Sequence, residues 1–159
     1  ARAAARAGVP VVSGTTGFSP AQAAALRSLA RRVAVFWAPN MSPGMNLLFE
    51  LAARAAAALP GYDAAVVDVH HAAKKDAPSG TAKRLQAALR RPGRPAPAVS
   101  LRVGDVAGDH VVLLAGPGER LELTHRAHSR EVFARGALQA AAWTARRRPG
   151  FYGMADLLR

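Results

Sequence analysis

Short apolar runs that alternate with helix-forming segments constrain the fold of this chain more than any other feature. Residues 9–13, 33–37 and 64–70 are apolar runs of strand length, and each is followed by a loop and a helix-forming segment. Ser19 and Pro20 stand where such a helix would have its N-cap and first turn. Strands that alternate with helices form a parallel sheet covered by helices. The sequence therefore predicts an α/β fold, with helical residues at 1–7, 20–30, 44–59 and 80–90.

The pattern changes after residue 98. Three short strand-like segments, 98–103, 110–115 and 119–125, are separated by glycine-containing turns, which predicts an antiparallel meander or a mixed sheet. An apolar helix is predicted over residues 131–144. Residues 149–154 contain a proline and two glycines and are predicted to form a turn. The second half therefore adds a sheet-rich insertion to the α/β pattern.

The composition narrows the classes of protein that the chain can belong to. Its 159 residues include no cysteine, which rules out disulfides and thiolate metal sites, and no apolar run of about 18 residues that could span a membrane. The net charge of +12 is compatible with a nucleic-acid partner. All but three of the 22 basic residues are arginines, however, and no aromatic residues interleave with their clusters. We therefore expect a solvated basic surface rather than a nucleic-acid-binding face.

The segment at residues 69–82, VHHAAKKDAPSGTA, carries the strongest chemical signal. His70 and His71 end a predicted strand, Lys74 follows in the loop, and Gly80 and Thr81 begin a helix. In α/β folds, the loops after strand carboxyl ends hold the functional sites. Histidine exchanges protons near neutral pH, lysine supplies positive charge, and the free N–H groups of a helix start attract anions. The segment therefore suits a small substrate that carries carboxylates.

A structural interpretation of the same segment stays open at this point. Paired histidines and lysines are common on solvated surfaces, and a Pro-Ser-Gly-Thr sequence before a helix is ordinary N-capping chemistry. No metal site is predicted. His70 and His71 would point to opposite faces of a strand, and no third ligand stands at short spacing.

The string HHAAKKDAPSGTA at residues 70–82 resembles the signature of dihydrodipicolinate reductases, His-His-x-x-Lys-x-Asp-Ala-Pro-Ser-Gly-Thr-Ala, at every fixed position. Further motifs of that family are matched in the same order along nearly the whole chain. They stand at residues 13–17, 38–46, 102–110, 119–137 and 149–156.

The resemblance implies a fold, a reaction and an assembly. The implied fold is a partial Rossmann-like dinucleotide-binding domain plus a mixed-sheet α+β domain for substrate binding and tetramerisation. The first would take residues 1–41 and the second 42–128, with 129–159 returning to the first. The implied reaction is the reduction of 4-hydroxy-tetrahydrodipicolinate, a small dicarboxylate, by NADPH or NADH in diaminopimelate and lysine biosynthesis. A cytoplasmic homotetramer is expected.

The resemblance also implies roles for single residues. His70 matches the family's catalytic acid/base and Lys74 its proton donor. His71, Gly80 and Thr81 match substrate-binding positions. The cofactor-binding positions matched are Gly14, Thr15, Thr16, Ala38, Pro39, Asn40 and Met41.

One family motif, the Gly-x-x-Gly-x-x-Gly phosphate loop, does not occur in this sequence. We therefore expect weak cofactor binding and little turnover from this chain by itself. The alternative is a non-catalytic remnant that binds a dicarboxylate or oligomerises. Structural roles are expected for several other polar and aromatic residues: Asp76, His110, His125, His128, Trp37 and Trp143.

Overall fold

The computed structural model describes residues 1–91 and 93–159 of the chain. These residues form two compact units, each described by itself below. Unit 1 comprises residues 1–46 and 131–159, and unit 2 comprises residues 47–130. The finer assignment of domain roles to residues 1–41, 42–128 and 129–159 stays a prediction.

The helices and strands follow the order expected from the alternating sequence pattern. The helices are α1 (Arg2–Arg6), α2 (Pro20–Leu29), α3 (Pro43–Ala58), α4 (Gly80–Leu89), α5 (Glu131–Thr144) and α6 (Met154–Leu157). The strands are β1 (Val11–Ser13), β2 (Ala34–Trp37), β3 (Asp63–His70), β4 (Ala98–Arg102), β5 (Asp109–Gly116), β6 (Glu119–Arg126) and β7 (Gly150–Tyr152).

Unit 1 contains a three-stranded parallel sheet in the order β1-β2-β7. The central strand β2 is apolar throughout because both of its faces are covered. Val35 packs into one core cluster with Leu26 of α2, whereas Phe36 packs into the other cluster with Ala140 of α5. The side chains of Val35 and Phe36 have no exposed surface. This explains why the run reads as continuously hydrophobic instead of alternating.

The turn predicted over residues 149–154 is wrong. Gly150–Tyr152 forms β7, which pairs in parallel with β2, and Phe151 lies opposite Val35. Proline and glycine dominate the sequence at residues 149–154, but the edge of β2 that does not pair with β1 supplies hydrogen-bonding partners from more than a hundred residues away in the chain. Pairing between residues so far apart in the chain cannot be predicted from the local sequence.

Unit 2 contains a four-stranded sheet in the order β4-β3-β5-β6. Because β3 is parallel to β4 and antiparallel to β5, the sheet is mixed. Of the two predicted alternatives, an antiparallel meander and a mixed sheet, the second is therefore confirmed. Alternate residues of β3 are buried, and α4 packs beside the strand with three buried side chains. These are Ala82, Leu85 and Leu89.

Arg91 ties the end of α3 to the rest of unit 2. Its guanidinium group donates to the carbonyl oxygens of Ala56, Leu59 and Tyr62, at 3.2, 2.7 and 2.7 Å. A cation at the C-terminal end of a helix satisfies carbonyl groups that have no partner within the helix.

Within the described ranges, no helix combines the length and the apolar character that crossing a membrane requires.

Candidate active site

A buried carboxylate stands at the centre of the candidate site in unit 2. Asp68 of β3 has no exposed surface. Its Oδ1 accepts from the Ser79 hydroxyl at 2.8 Å, and its Oδ2 accepts from the Ser79 backbone N–H at 3.0 Å. The Ser100 hydroxyl and Nη2 of Arg102 also donate to Oδ2, each at 3.1 Å. Burial alone would raise the pKa of Asp68, but the hydrogen bonds from Ser79 and Arg102 outweigh it and lower the pKa to about 2.

His70, at the end of β3, lies directly against this anion. Its Nδ1 is 2.9 Å from Oδ1 of Asp68, and its side chain is 11% exposed. The ring N–H does not point along that line, so the contact is a close ion-pair distance without an aligned hydrogen bond. Burial lowers the pKa of His70 below its ordinary value, while the charge of Asp68 opposes that decrease. His70 is therefore mostly neutral at pH 7, with an anion beside it that stabilises an added proton.

A second histidine faces the same carboxylate from the neighbouring strand. His110 of β5 is 4% exposed, and its Nε2 lies 3.3 Å from Oδ1 of Asp68 and 3.4 Å from Oγ of Ser79. Its ring stands edge-on to the His70 ring, with centroids 5.2 Å apart. Burial lowers the pKa of His110 to about 4, against the opposing charge of Asp68. His110 is therefore neutral at physiological pH.

Ser79 connects this cluster to the start of α4. It is the N-cap of the helix, and its hydroxyl accepts from the Ala82 N–H at 3.1 Å while donating to Asp68. Gly80 is exposed, and a Cβ placed on it would meet no atom within 4 Å. Thr81, the next residue, is half-buried. The space where a Gly80 Cβ would stand is therefore open, and the N–H groups and dipole of a helix start can hold a carboxylate.

Two cations border the loop between β3 and α4. Nζ of Lys74 lies 2.6 Å from Oδ1 of Asp76, and this contact lowers the pKa of Asp76. Nη2 of Arg102 donates to the backbone oxygen of Asp76 at 2.6 Å. The carbonyl of His71, whose side chain is half-buried, accepts from the Lys74 N–H at 3.1 Å. Asp76 therefore orders the loop, as the sequence led us to expect.

The sequence identified part of this cluster and missed its centre. The structure joins His70 and Ser79 through Asp68, and it links Lys74 to the same carboxylate through Asp76 and Arg102. Asp68 was missed, although it occupies an inward position in the alternation of β3, where an apolar residue is expected.

His110 was expected to be structural, yet the sheet register places it opposite Asp68. Together with His70 these residues form a three-residue group whose potential metal-ligating atoms lie within 4.8 Å of one another. Oδ2 of Asp68 is already held by Arg102 and by hydroxyl and backbone donors. Because the carboxylate is neutralised by a protein cation, we assign the group no metal.

The cofactor-binding positions predicted from the sequence lie in two loops of unit 1. Gly14, Thr15 and Thr16 follow β1 and are exposed. The Trp37 indole N–H donates to the carbonyl of Thr15 at 3.0 Å, and the Ala38 N–H donates to the Ser13 carbonyl at 3.1 Å. These bonds bring the two loops together at the carboxyl ends of adjacent parallel strands, the usual place for a dinucleotide.

The second loop follows β2 and is held by polar side chains. Ala38 and Met41 are buried, Pro39 is exposed and Asn40 is half-buried. The Asn46 side-chain amide donates to the carbonyls of Asn40 and Ser42, each at 2.8 Å, and the Asn40 side chain accepts from the Ser42 N–H at 2.9 Å. Trp37 and Trp143 pack against the core clusters of unit 1, as expected.

Comparison with known proteins identifies the family. Residues 1–41 match the family model described as "Dihydrodipicolinate reductase, N-terminus", and residues 44–158 match "Dihydrodipicolinate reductase, C-terminus". The chain is 47% identical to 4-hydroxy-tetrahydrodipicolinate reductase of Nitratidesulfovibrio vulgaris, with 99% of the chain and 70% of the relative aligned. It is 52% identical to the reductase of Stenotrophomonas maltophilia, with 95% of the chain and 63% of the relative aligned.

A solved structure gives the same result. It is a "Dipicolinate bound Dihydrodipicolinate reductase" from Paenisporosarcina sp. TG-14, with a TM-score of 0.80 and 25% identity over 96% of this chain and 66% of that one. This chain therefore spans about two thirds of the length of the relatives that it matches. On the family matches and the identities to these relatives, the chain belongs to the dihydrodipicolinate reductase family.

Proposed function

We propose that this chain carries the substrate-binding and proton-transfer residues of a 4-hydroxy-tetrahydrodipicolinate reductase that uses NADPH or NADH. The observation that carries the proposal is the placement of His70 against a buried anion, in the loop that also holds Lys74 and leads to the open start of α4. In this reaction the substrate gains one hydride and one proton and loses one water, which gives tetrahydrodipicolinate. The reaction belongs to diaminopimelate and lysine biosynthesis, and a cytoplasmic location stays a prediction.

The charges and donors of unit 2 suit a dicarboxylate. The N–H groups of Gly80 and Thr81 at the start of α4 bind one carboxylate, since a helix start attracts anions and the space where a Gly80 Cβ would stand is open. Lys74 and His71 provide a cation and a ring donor for the remainder of the substrate. The solved relative was obtained with dipicolinate bound, which is a dicarboxylate of the same class.

Proton transfer falls to His70 and Lys74. Hydride addition builds negative charge on the substrate, which a nearby acid quenches. His70 can carry that proton because Asp68 stabilises its charged form at 2.9 Å. Lys74 acts as the second proton donor, held in place by Asp76 at 2.6 Å.

The two loops of unit 1 fit the nicotinamide end of the cofactor. An exposed Gly-Thr-Thr turn offers peptide donors and acceptors and two hydroxyls, which is the set that a carboxamide needs. We assign the cofactor contacts to seven residues of these loops, and the cofactor, when bound, supplies the hydride. The residues are Gly14, Thr15, Thr16, Ala38, Pro39, Asn40 and Met41.

Substrate binding can be tested separately from turnover with Gly80→Ala. The new methyl group meets nothing in the free protein, and alanine favours a helix, so the melting temperature should stay the same or rise. It would occupy the space of the bound carboxylate, so the dissociation constant for dipicolinate should rise about tenfold or more. Gly61→Ala is the matched control, because its Cβ also meets no atom within 4 Å. Equal affinity in both variants would contradict the assignment of α4 as the carboxylate site.

Turnover is measured as NADPH and NADH oxidation with freshly made substrate. Lys74→Ala should reduce kcat/KM by about a hundredfold, whereas Lys75→Ala, in which the lost side chain is exposed, should leave it unchanged. Equal effects of the two variants would refute the role of Lys74. Tight dipicolinate binding without oxidation of either cofactor would favour the non-catalytic, dicarboxylate-binding alternative.

We further propose that unit 2 self-associates through the sheet face opposite α4, called here the open face. Val99, Leu101 and Val103 on this face are 58, 49 and 55% exposed. Their sheet neighbours Val67 and Val69 are half-buried. A continuous apolar surface of this kind marks a protein interface, and two copies of one sheet pack face to face. A tetramer is expected on the family resemblance.

The oligomeric state can be measured by light scattering after gel filtration. Leu101→Asp should shift the chain to a smaller species, because a charge would be buried in the centre of the interface. Leu138→Asp is the control, since Leu138 is 72% exposed in unit 1. A wild-type monomer at tens of micromolar, or equal behaviour of both variants, would refute the interface.

A further inference from the structure

We propose that Asp68 is a positioning residue. It holds the proton of neutral His70 on Nδ1, so that Nε2 exchanges the catalytic proton, and it links His70 to the carboxylate site at the start of α4. The inference rests on the proposed function and deepens it. The carboxylate contacts Nδ1 of His70 at 2.9 Å and the N-cap residue Ser79 through both of its oxygens. One buried anion therefore fixes the surroundings of the acid and the start of the anion-binding helix together.

The two nitrogens of the His70 ring have different surroundings. Nδ1 is buried and lies 2.9 Å from Oδ1 of Asp68. A lone pair on Nδ1 would be repelled by that carboxylate, so the neutral ring keeps its proton on Nδ1 although the N–H makes no aligned hydrogen bond. Nε2 lies on the side of Gly108, where a Cβ would come within 3.1 Å of it. Gly108 has a φ of +154°, a conformation that favours glycine, and its lack of a side chain leaves this edge of the ring uncrowded. Nε2 is therefore the atom that gains and loses the catalytic proton.

The charged groups around His70 come from three strands and one loop. Asp68 shares its strand, Lys74 and Asp76 lie in the following loop, Arg102 is on β4 and His110 is on β5. Both carboxylates stay ionised and His110 stays neutral between pH 5 and 8, because the pKa values of all three are lowered. A titration of this cluster in that range therefore reports on His70.

The role of Asp68 can be separated from simple structural support by its effect on the pKa of His70. Asp68→Asn keeps the shape of the side chain but removes the charge, so the His70 pKa should fall by roughly one unit or more. Asp68→Glu restores the charge and should bring most of that pKa back. The measurement is an NMR titration of ring ¹⁵N and ¹³C signals in the 159-residue chain, with the His70 signal assigned by its loss in His70→Gln.

The same variants make a kinetic prediction. The protonated acid is lost as the pH rises through the His70 pKa, so Asp68→Asn should move the alkaline limb of kcat/KM to lower pH by roughly one unit. At pH 7 it should reduce the rate about tenfold, and Asp68→Glu should recover most of this loss. A decrease of the same size at every pH, with an unchanged His70 pKa, would reduce Asp68 to a structural residue and overturn the proposal.

Two outcomes keep the proposal and the proposed function distinguishable. The wild-type protein should show neutral His70 as the Nδ1–H tautomer, and finding the Nε2–H tautomer would overturn the proposal even if Asp68→Asn failed to fold. Absence of NADPH or NADH oxidation by the wild type would count against the reductase function. The NMR result would still decide the role of Asp68 in that case.

Discussion

Replacing Asp68 with asparagine should destabilise the chain at pH 7, and lowering the pH to 3 should not relieve that cost. The pKa of Asp68 drops from 3.8 to about 2 on folding. This shift contributes about 2.5 kcal/mol of stability at neutral pH, at about 1.4 kcal/mol per unit. Because the folded-state pKa is the lower one, the contribution is complete above about pH 5 and disappears as the pH falls through about 2. At pH 3 about half of it remains.

Asparagine cannot make this pH-dependent contribution. Its total cost at pH 7 should be about 3–5 kcal/mol, since Arg102 is left as a charge without its anion. Between pH 7 and pH 3 the wild type loses about 1 kcal/mol of the Asp68 contribution. The variant loses at least as much in the same interval, because its His70 takes up a proton at a pKa lowered by roughly one further unit, which costs about 1.4 kcal/mol. The cost of the substitution should therefore stay the same or increase as the pH falls.

Urea denaturation at pH 7, 5, 4 and 3 measures this difference. Both tryptophans, Trp37 and Trp143, lie in unit 1, so unfolding of unit 2 must be followed by far-UV circular dichroism instead of tryptophan fluorescence. Asp63→Asn is the matched control: Asp63 begins the same strand with its side chain 88% exposed, so its loss should cost less than about 0.5 kcal/mol at each pH. A cost of Asp68→Asn that falls by about 1 kcal/mol or more from pH 7 to pH 3 would refute the charge coupling between Asp68 and His70.

Two further stability predictions concern close packing at Gly136 in unit 1 and the hydrogen bonds of Arg91 in unit 2. Gly136→Ala should destabilise unit 1 by more than about 3 kcal/mol in thermal or urea unfolding, because the new methyl group would overlap the Met41 carbonyl oxygen. The control is Leu138→Ala, on the exposed side of the same helix. If Gly136→Ala cost no more than this control, the predicted overlap would be contradicted. Arg91→Ala should cost about 2–4 kcal/mol in urea because the carbonyl oxygens of Ala56, Leu59 and Tyr62, at and just beyond the end of α3, lose the guanidinium donor. The exposed Arg94→Ala should cost less than about 1 kcal/mol, and similar values for the two arginines would argue against a capping role for Arg91.

Most elements of the fold could be predicted because their signals are local. Ser19 and Pro20 mark the start of α2, and the structure confirms both the cap and the first turn. The apolar run of β2 predicts a strand buried on both faces, and Val35 and Phe36 pack into separate core clusters. In contrast, β7 was predicted as a turn, because its pairing partner is distant in sequence.

The candidate site divides in the same way. His70, Lys74, Gly80 and Thr81 stand within one short segment, so their common loop could be predicted from spacing alone, and their roles remain proposals. No role could be assigned to Asp68, because a single acidic residue in a predicted strand does not indicate a function until the residues that contact it are known.

The sequence by itself determined the α/β pattern, the helix starts and the 70–82 segment that carries the family resemblance, because each of these depends on residues close together in the chain. Only the tertiary structure decided that Asp68 is the centre of the site. Its partners Arg102 and His110 come from the strands on either side of β3, at positions set by the sheet register. The energy of a buried charge depends on the donors that enclose it, and folding alone brings those donors together.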